Sequence, residues 1–164
     1  ATEAYALAWG FSYGLPTLAF RFFNVFGPLQ AAGHTYAAVI PLFAHAALTN
    51  QPLTIHGDGT QSRDFTFVDT VTGVIVDALQ RNISSSEPVN LAFGTRVTLL
   101  DVVSKLEGLI GRPITRNHVD NRTGDVPHSQ ADGRRLVDLF PDVHPTSFDD
   151  GLRATVDWMR TALP

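Results

Sequence analysis

The 164-residue chain contains no cysteine, so disulfides, thiolate metal sites and cysteine nucleophiles are all excluded. Its longest apolar runs stop far short of the ~20 residues needed to span a bilayer, and no basic-then-apolar signal segment opens it. Charged residues make up 17% of the chain and the formal net charge is -4. The basic residues are scattered rather than clustered, so nucleic acid is not expected as the main partner. The histidines (His34, His45, His56, His118, His128 and His144) show no H-x-x-x-H spacing, and no metal site is expected. There is no G-x-S-x-G elbow. There is no G-x-G-x-x-G phosphate loop either: Gly57-Asp58-Gly59 lacks the third glycine and sits between two strand-like runs. These absences leave the expectation of a soluble, cytoplasmic protein with no membrane association.

What is present is core material. Hydrophobic residues make up 44%, enough to bury a core in one domain-sized unit. The opening "ATEAYALAWGFSYG" reads as helix from its first residue, with Ala1, Ala4, Tyr5 and Ala8 on one face and Trp9 beside it. It has neither an N-cap nor an initiator Met. Either its start is frayed, or the chain was cut from a longer protein in mid-helix. "TLAFRFFNVF" (17–26) is an apolar run of strand length, of the kind buried on both faces of a parallel sheet. A helix is expected from about Ala37 to Thr49, with Pro41 near its first turn. "PLTIHG" and "SRDFTFV" read as strands joined in a hairpin by the Asp58–Gly59 turn. Asp69 is placed to cap the next helix. "VNLAFG" is a short apolar strand. Thr98 with Asp101 starts a helix that stops at Gly111. A long polar stretch (112–132) with one possible strand follows, then short helices near 133–139 and 148–161, the second capped by Ser147 with Asp150. Strands alternating with helices give an α/β class.

Three stretches are candidates for chemistry, each with two readings. In "RFFNVFGP", Asn24 ends a strand, where ligands gather in parallel sheets, or else it caps its own turn. In "SRDF", Arg63 is aimed at an anion, or Arg63 and Asp64 are a solvated pair beside a hairpin. In "RTGD", Arg122 and Asp125 suit a guanidinium fork on phosphate and a carboxylate on sugar hydroxyls, or form an ordinary polar turn. Phe11, Phe20, Phe22, Phe23 and Phe26 read as core rather than as a stacking platform for bases.

Taken together, "LPTLAFRFFNVFGP", "YAAVIPLF", "LTIHGDGTQSRDFTFVDT" and "RTGDVPHSQAD", in that order, resemble the second half of the NAD-dependent nucleotide-sugar epimerases and dehydratases, the extended short-chain dehydrogenases/reductases. "YAAVIP" with "GDVPHSQAD" is most similar to the 4-epimerases of UDP-glucose or UDP-N-acetylglucosamine, and less similar to the dehydratases and decarboxylases of the family. The resemblance implies the C-terminal part of a Rossmann-like doubly wound sheet plus a small mixed α/β lobe that binds the nucleotide-sugar. Residues 1–30 would be the tail of the Rossmann domain and 31–164 mainly the lobe, with 65–95 returning to the sheet. The family's catalytic Tyr-x-x-x-Lys pair is not found, since Tyr5, Tyr13 and Tyr36 are followed at the fourth position by Trp9, Thr17 and Ile40. With it are missing the glycine-rich phosphate loop and the rest of an N-terminal half.

The resemblance also implies roles residue by residue. Phe22 and Phe23 would line the nicotinamide end of NAD. Asn24 would contact the diphosphate, with Ala38 and Val39 beside uracil and phosphate. The strand at Thr54, Ile55 and His56 would read the base through its backbone. Arg63 would grip the diphosphate, and Arg122 and Asp125 would hold phosphate and ribose. No catalytic residue is assigned to this chain. The expected partners are a UDP-sugar, the N-terminal half and, in the intact enzyme, a second subunit of a homodimer. By itself the chain is expected to be inactive. A rival from another class is a non-catalytic domain that binds a nucleotide or a protein partner.

Overall fold

A computed structural model of the chain describes residues 1–32 and 38–163. His34, Tyr36 and the expected helix start at Ala37 lie outside the described residues. Helix α1 spans Thr2–Tyr13 and ends on Gly14, which takes φ 63 so that its N–H reaches the Gly10 carbonyl. That conformation is left-handed and favours glycine. Only Gly10 of this helix is buried. The apolar face of Ala1, Ala4, Tyr5, Ala8 and Trp9 points outward, where Tyr5 is 68% and Trp9 57% exposed.

The expected single strand over 17–26 is divided. β1 (Phe20–Phe22) runs parallel to β6 (Val89–Leu91), and β2 (Val25–Phe26) runs parallel to β5 (Thr66–Phe67). Asn24 causes the break with φ 33, a backbone angle incompatible with a continuous strand. Nor is the run buried on both faces: Phe26 is in the core, but Phe22 is 57% exposed.

The expected hairpin does not form. β3 (Leu53–His56) pairs in parallel with β8 (Arg116–Val119), and β4 (Ser62–Arg63) pairs antiparallel with β7 (Val97–Thr98). Between them Gly57 and Gly59 both take positive φ, and Asp58 accepts from the N–H and hydroxyl of Thr60. This Asx-type turn redirects the chain instead of folding it back. Asp69 is not a cap either. Helix α3 (Val68–Gln80) begins after Phe67, and Asp69 lies in its first turn, where a carboxylate favours the helix dipole.

The other expected helices form, and side-chain caps start two of them. Helix α2 covers Val39–Leu48. Helix α4 (Leu99–Ile110) has a full capping box between Thr98 and Asp101 and ends on Gly111. α5 covers Arg134–Leu139 and α6 covers Phe148–Ala162, the latter capped by Ser147 from the Asp150 N–H. The architecture is mixed α/β with parallel strand pairs. A larger apolar cluster joins Phe26, Phe65 and Phe67 to α2, α4 and α6 through Ile40, Val102, Leu106, Leu152 and Val156. A second gathers Val71, Val74, Val89, Leu91, Leu136 and Phe140. No helix of the described residues is long and apolar enough to cross a membrane.

Candidate functional site

Segments far apart in sequence converge on one cleft of about 430 Å³. Asn24 comes from the break between β1 and β2, and Ala38 and Val39 from the start of α2. Thr54 and His56 lie on β3, Arg63 ends β4, and Arg122 and Asp125 lie in the loop after β8. All of them line the cleft, with Phe43, Phe65 and Leu99 as its apolar wall. Ile55 does not: it is fully buried, because alternate residues of a strand face opposite sides. Phe22 and Phe23 are not among the lining residues either.

Local geometry fixes each polar group. Asn24 does not cap its own turn; its Nδ2 donates to the Asp64 carbonyl at 3.0 Å. Arg63 is 16% exposed and pairs with Asp125. Its Nη1 also donates to the Ser62 carbonyl at 2.8 Å. The carboxylate that the sequence pairs with Arg122 is therefore engaged by Arg63, and Arg122 makes no ion pair among the described residues. A guanidinium already desolvated and held by a carboxylate is well placed to receive a second anion bidentately. His56 bonds through Nδ1 to the Asp120 carbonyl at 3.1 Å. The neighbouring Asp58 carboxyl is held below its ordinary range, chiefly by the Thr60 N–H and hydroxyl.

Two residues of the region were not visible in the sequence. Gln61 lines the cleft and donates through Nε2 to the His56 carbonyl at 2.7 Å; nothing in its spacing signals this. Asp64 is not half of a solvated pair but fully buried. A carboxylate next to an arginine in sequence looks the same whether it points into water or into the core.

The cleft has the chemistry of an anion site with an apolar side: two guanidinium groups, two amides, a carboxylate and a hydrophobic wall. Nothing in the sequence provides a glycine-rich turn at a helix N-terminus, the usual cradle for a dinucleotide pyrophosphate.

The family model described as the NAD dependent epimerase/dehydratase family matches residues 1–92. The chain is 33% identical, over 90% of its own length and 46% of the relative's, to an uncharacterised UDP-glucose epimerase of Bacillus subtilis (strain 168). It is 29% identical, over 90% of its length and 47% of the relative's, to a UDP-N-acetyl-alpha-D-glucosaminuronate decarboxylase of Bacillus cytotoxicus. The chain thus spans about half the length of these curated relatives. Among solved structures it superposes on the UDP-N-acetylglucosamine 4-epimerase of Methanobrevibacter ruminantium M1 in complex with UDP-N-acetylmuramic acid. That match has TM-score 0.91 and 34% identity, and covers 98% of this chain and 51% of the other. It also superposes on the UDP-glucuronic acid 4-epimerase of Bacillus cereus in complex with UDP-glucuronic acid and NAD, with TM-score 0.84 and 30% identity over 98% and 50% of the two chains. With a family model matched over more than half its residues and the same fold as NAD-bound members, the chain belongs to the NAD-dependent epimerase/dehydratase family.

Proposed function

We propose that this chain is the nucleotide-sugar-binding part of a UDP-sugar 4-epimerase. The observation that carries the reading is the convergence of Asn24, Arg63, Arg122 and Asp125 from separate segments on one cleft. Arg63 and Arg122 clamp the diphosphate, with Asn24 at its inner end. Asp125 exchanges its bond to Arg63 for the ribose hydroxyls as the phosphate takes over the guanidinium. The β3 backbone at Thr54 to His56 reads the base, and Ala38 and Val39 close over uracil and phosphate. Phe22 and Phe23 lie toward the nicotinamide. In the whole enzyme a bound NAD would supply the redox chemistry at the sugar C4. This chain's residues bind and orient the nucleotide so that the sugar is free to turn.

The similarity to epimerases of both sequence and structure supports 4-epimerisation over dehydration. The decarboxylase relative favours decarboxylation as a second reading, since it would use the same nucleotide grip. We further propose that the chain alone does not turn over, because it carries neither the pyrophosphate cradle nor a Tyr-x-x-x-Lys pair to take the proton from the 4-hydroxyl. Purified chain, NAD and UDP-galactose, followed for UDP-glucose, should give no product alone. Product should appear after a family N-terminal half is added. Turnover by the chain alone, or carbon dioxide release from UDP-glucuronate by the reconstituted pair without epimerisation, would overturn this reading.

A further inference from the structure

Asp64 is a fully buried carboxylate to which no part of the proposed function assigns a task. It accepts hydrogen bonds from the Gly94 N–H at 3.0 Å, the Thr95 N–H at 3.1 Å, the Thr95 hydroxyl at 2.8 Å and the Ala131 N–H at 3.1 Å. None of these donors is a cation. Burying a charge is costly unless its oxygens are fully satisfied, and here they are satisfied by two chain segments remote from residue 64. Its own carbonyl accepts from Asn24 Nδ2. The neighbouring Ser62 is bound to the same long loop, donating its N–H to the Pro127 carbonyl and accepting at its carbonyl from the Ser129 N–H. The segment that carries Arg122 and Asp125 is therefore fastened at 127–129 and again at 131, while Arg63 stands between the two anchoring residues.

We propose that Asp64 is the positioning residue of the anion clamp. Its carboxylate joins the 62–65 segment, the 94–95 loop and the segment after Asp125 into one frame, and that frame aims the Arg63 guanidinium into the cleft. The inference rests on reading the cleft as a nucleoside-diphosphate site. It distinguishes Asp64 from a merely stabilising core residue, because its effect must pass through Arg63.

The test pairs UDP and uridine titrations with NMR of the Arg63 side-chain N–H groups in the ligand-free chain. Asp64→Asn should weaken UDP binding by about tenfold, the scale of a lost charged hydrogen bond, and weaken uridine binding less. Adding it to Arg63→Ala should cost nothing more. The Arg63 N–H signals, slow to exchange in the parent chain, should collapse to solvent-averaged ones. Thr95→Val removes one donor and keeps the shape, so it serves if Asp64→Asn does not fold; the same changes should appear in smaller degree. Additive losses in the double variant, or Arg63 signals and UDP affinity unmoved by either substitution, would overturn the proposal. If the parent chain binds no UDP but its Arg63 signals still depend on Asp64, the nucleotide reading falls and the positioning role stands. UDP binding with Arg63 signals indifferent to Asp64 means the reverse.

Discussion

Arg63 shows how far chemistry can be read from single residues. A guanidinium beside a turn had two readings, and the structure holds it in the cleft at 16% exposure against Asp125. Arg63→Ala is expected to weaken UDP binding by about 1.5–3 kcal/mol, the worth of a hydrogen bond to a charged group. Arg122 makes no ion pair among the described residues and would have to be fixed by the anion it is proposed to hold. Its replacement by Ala should therefore cost less, and calorimetric titration of both variants ranks them. Equal binding by Arg63→Ala and the parent would count against the clamp. The place of Arg63 in the cleft was legible only through the resemblance, because by spacing alone a guanidinium beside a turn fits a solvated pair as well. Asp64 was not, because its burial is decided by Gly94, Thr95 and Ala131, none of which sequence spacing can bring near it.

At the scale of elements, helices and most strand positions were legible, and strand pairing was not. Thr98 with Asp101 and Ser147 with Asp150 write their helix starts into adjacent residues. By contrast β3 finds its partner at β8 and β4 at β7, so a local turn signal suggested a hairpin that long-range pairing overrode. Helix α6 carries a sharper prediction. A Cβ on Gly151 would lie 2.7 Å from Phe67 Cδ2 and 3.0 Å from Phe26 Cζ, and those rings are themselves packed together in the core. Ala gains about 1 kcal/mol of helix propensity over Gly, whereas overpacking costs about 1–3 kcal/mol. Gly151→Ala should therefore lower the urea midpoint, and an increase would show that the rings yield. A second prediction concerns Glu107, which braces α4 to β8. The Ile114 N–H first and Arg116 second hold its carboxyl below the ordinary range. A depressed carboxyl adds stability above its unfolded pKa and loses it as the pH falls through the folded value. Glu107→Gln should be less stable than the parent at neutral pH, with the gap closing in acid. Urea midpoints measured across the acid range check this, and a gap constant with pH would contradict it.

On the scale of the whole molecule, the resemblance read from four sequence blocks extends to nearly the full length of the chain, as the superposition over 98% of its residues shows. The division of "TLAFRFFNVF" between two sheet pairs was not foreseen, since an apolar run carries no mark of where a single residue such as Asn24 will turn the backbone. Much apolar surface stays uncovered: Phe11 is 92% exposed, Tyr13 65% and Phe22 57%, beside Tyr5 and Trp9. Patches of this kind draw in another surface, so the chain is expected to self-associate. Sedimentation velocity should show a weight-average mass that rises with concentration and falls back on Phe11→Glu; a monomer at all concentrations would contradict this. Calorimetric titration of the chain with UDP and with uridine tests most directly whether the cleft is a nucleoside-diphosphate site. UDP should bind at least about tenfold tighter than uridine, from charged hydrogen bonds to the phosphates, and Arg63→Ala should narrow that difference. Equal affinities for the two ligands, or a difference undiminished in Arg63→Ala, would contradict this reading.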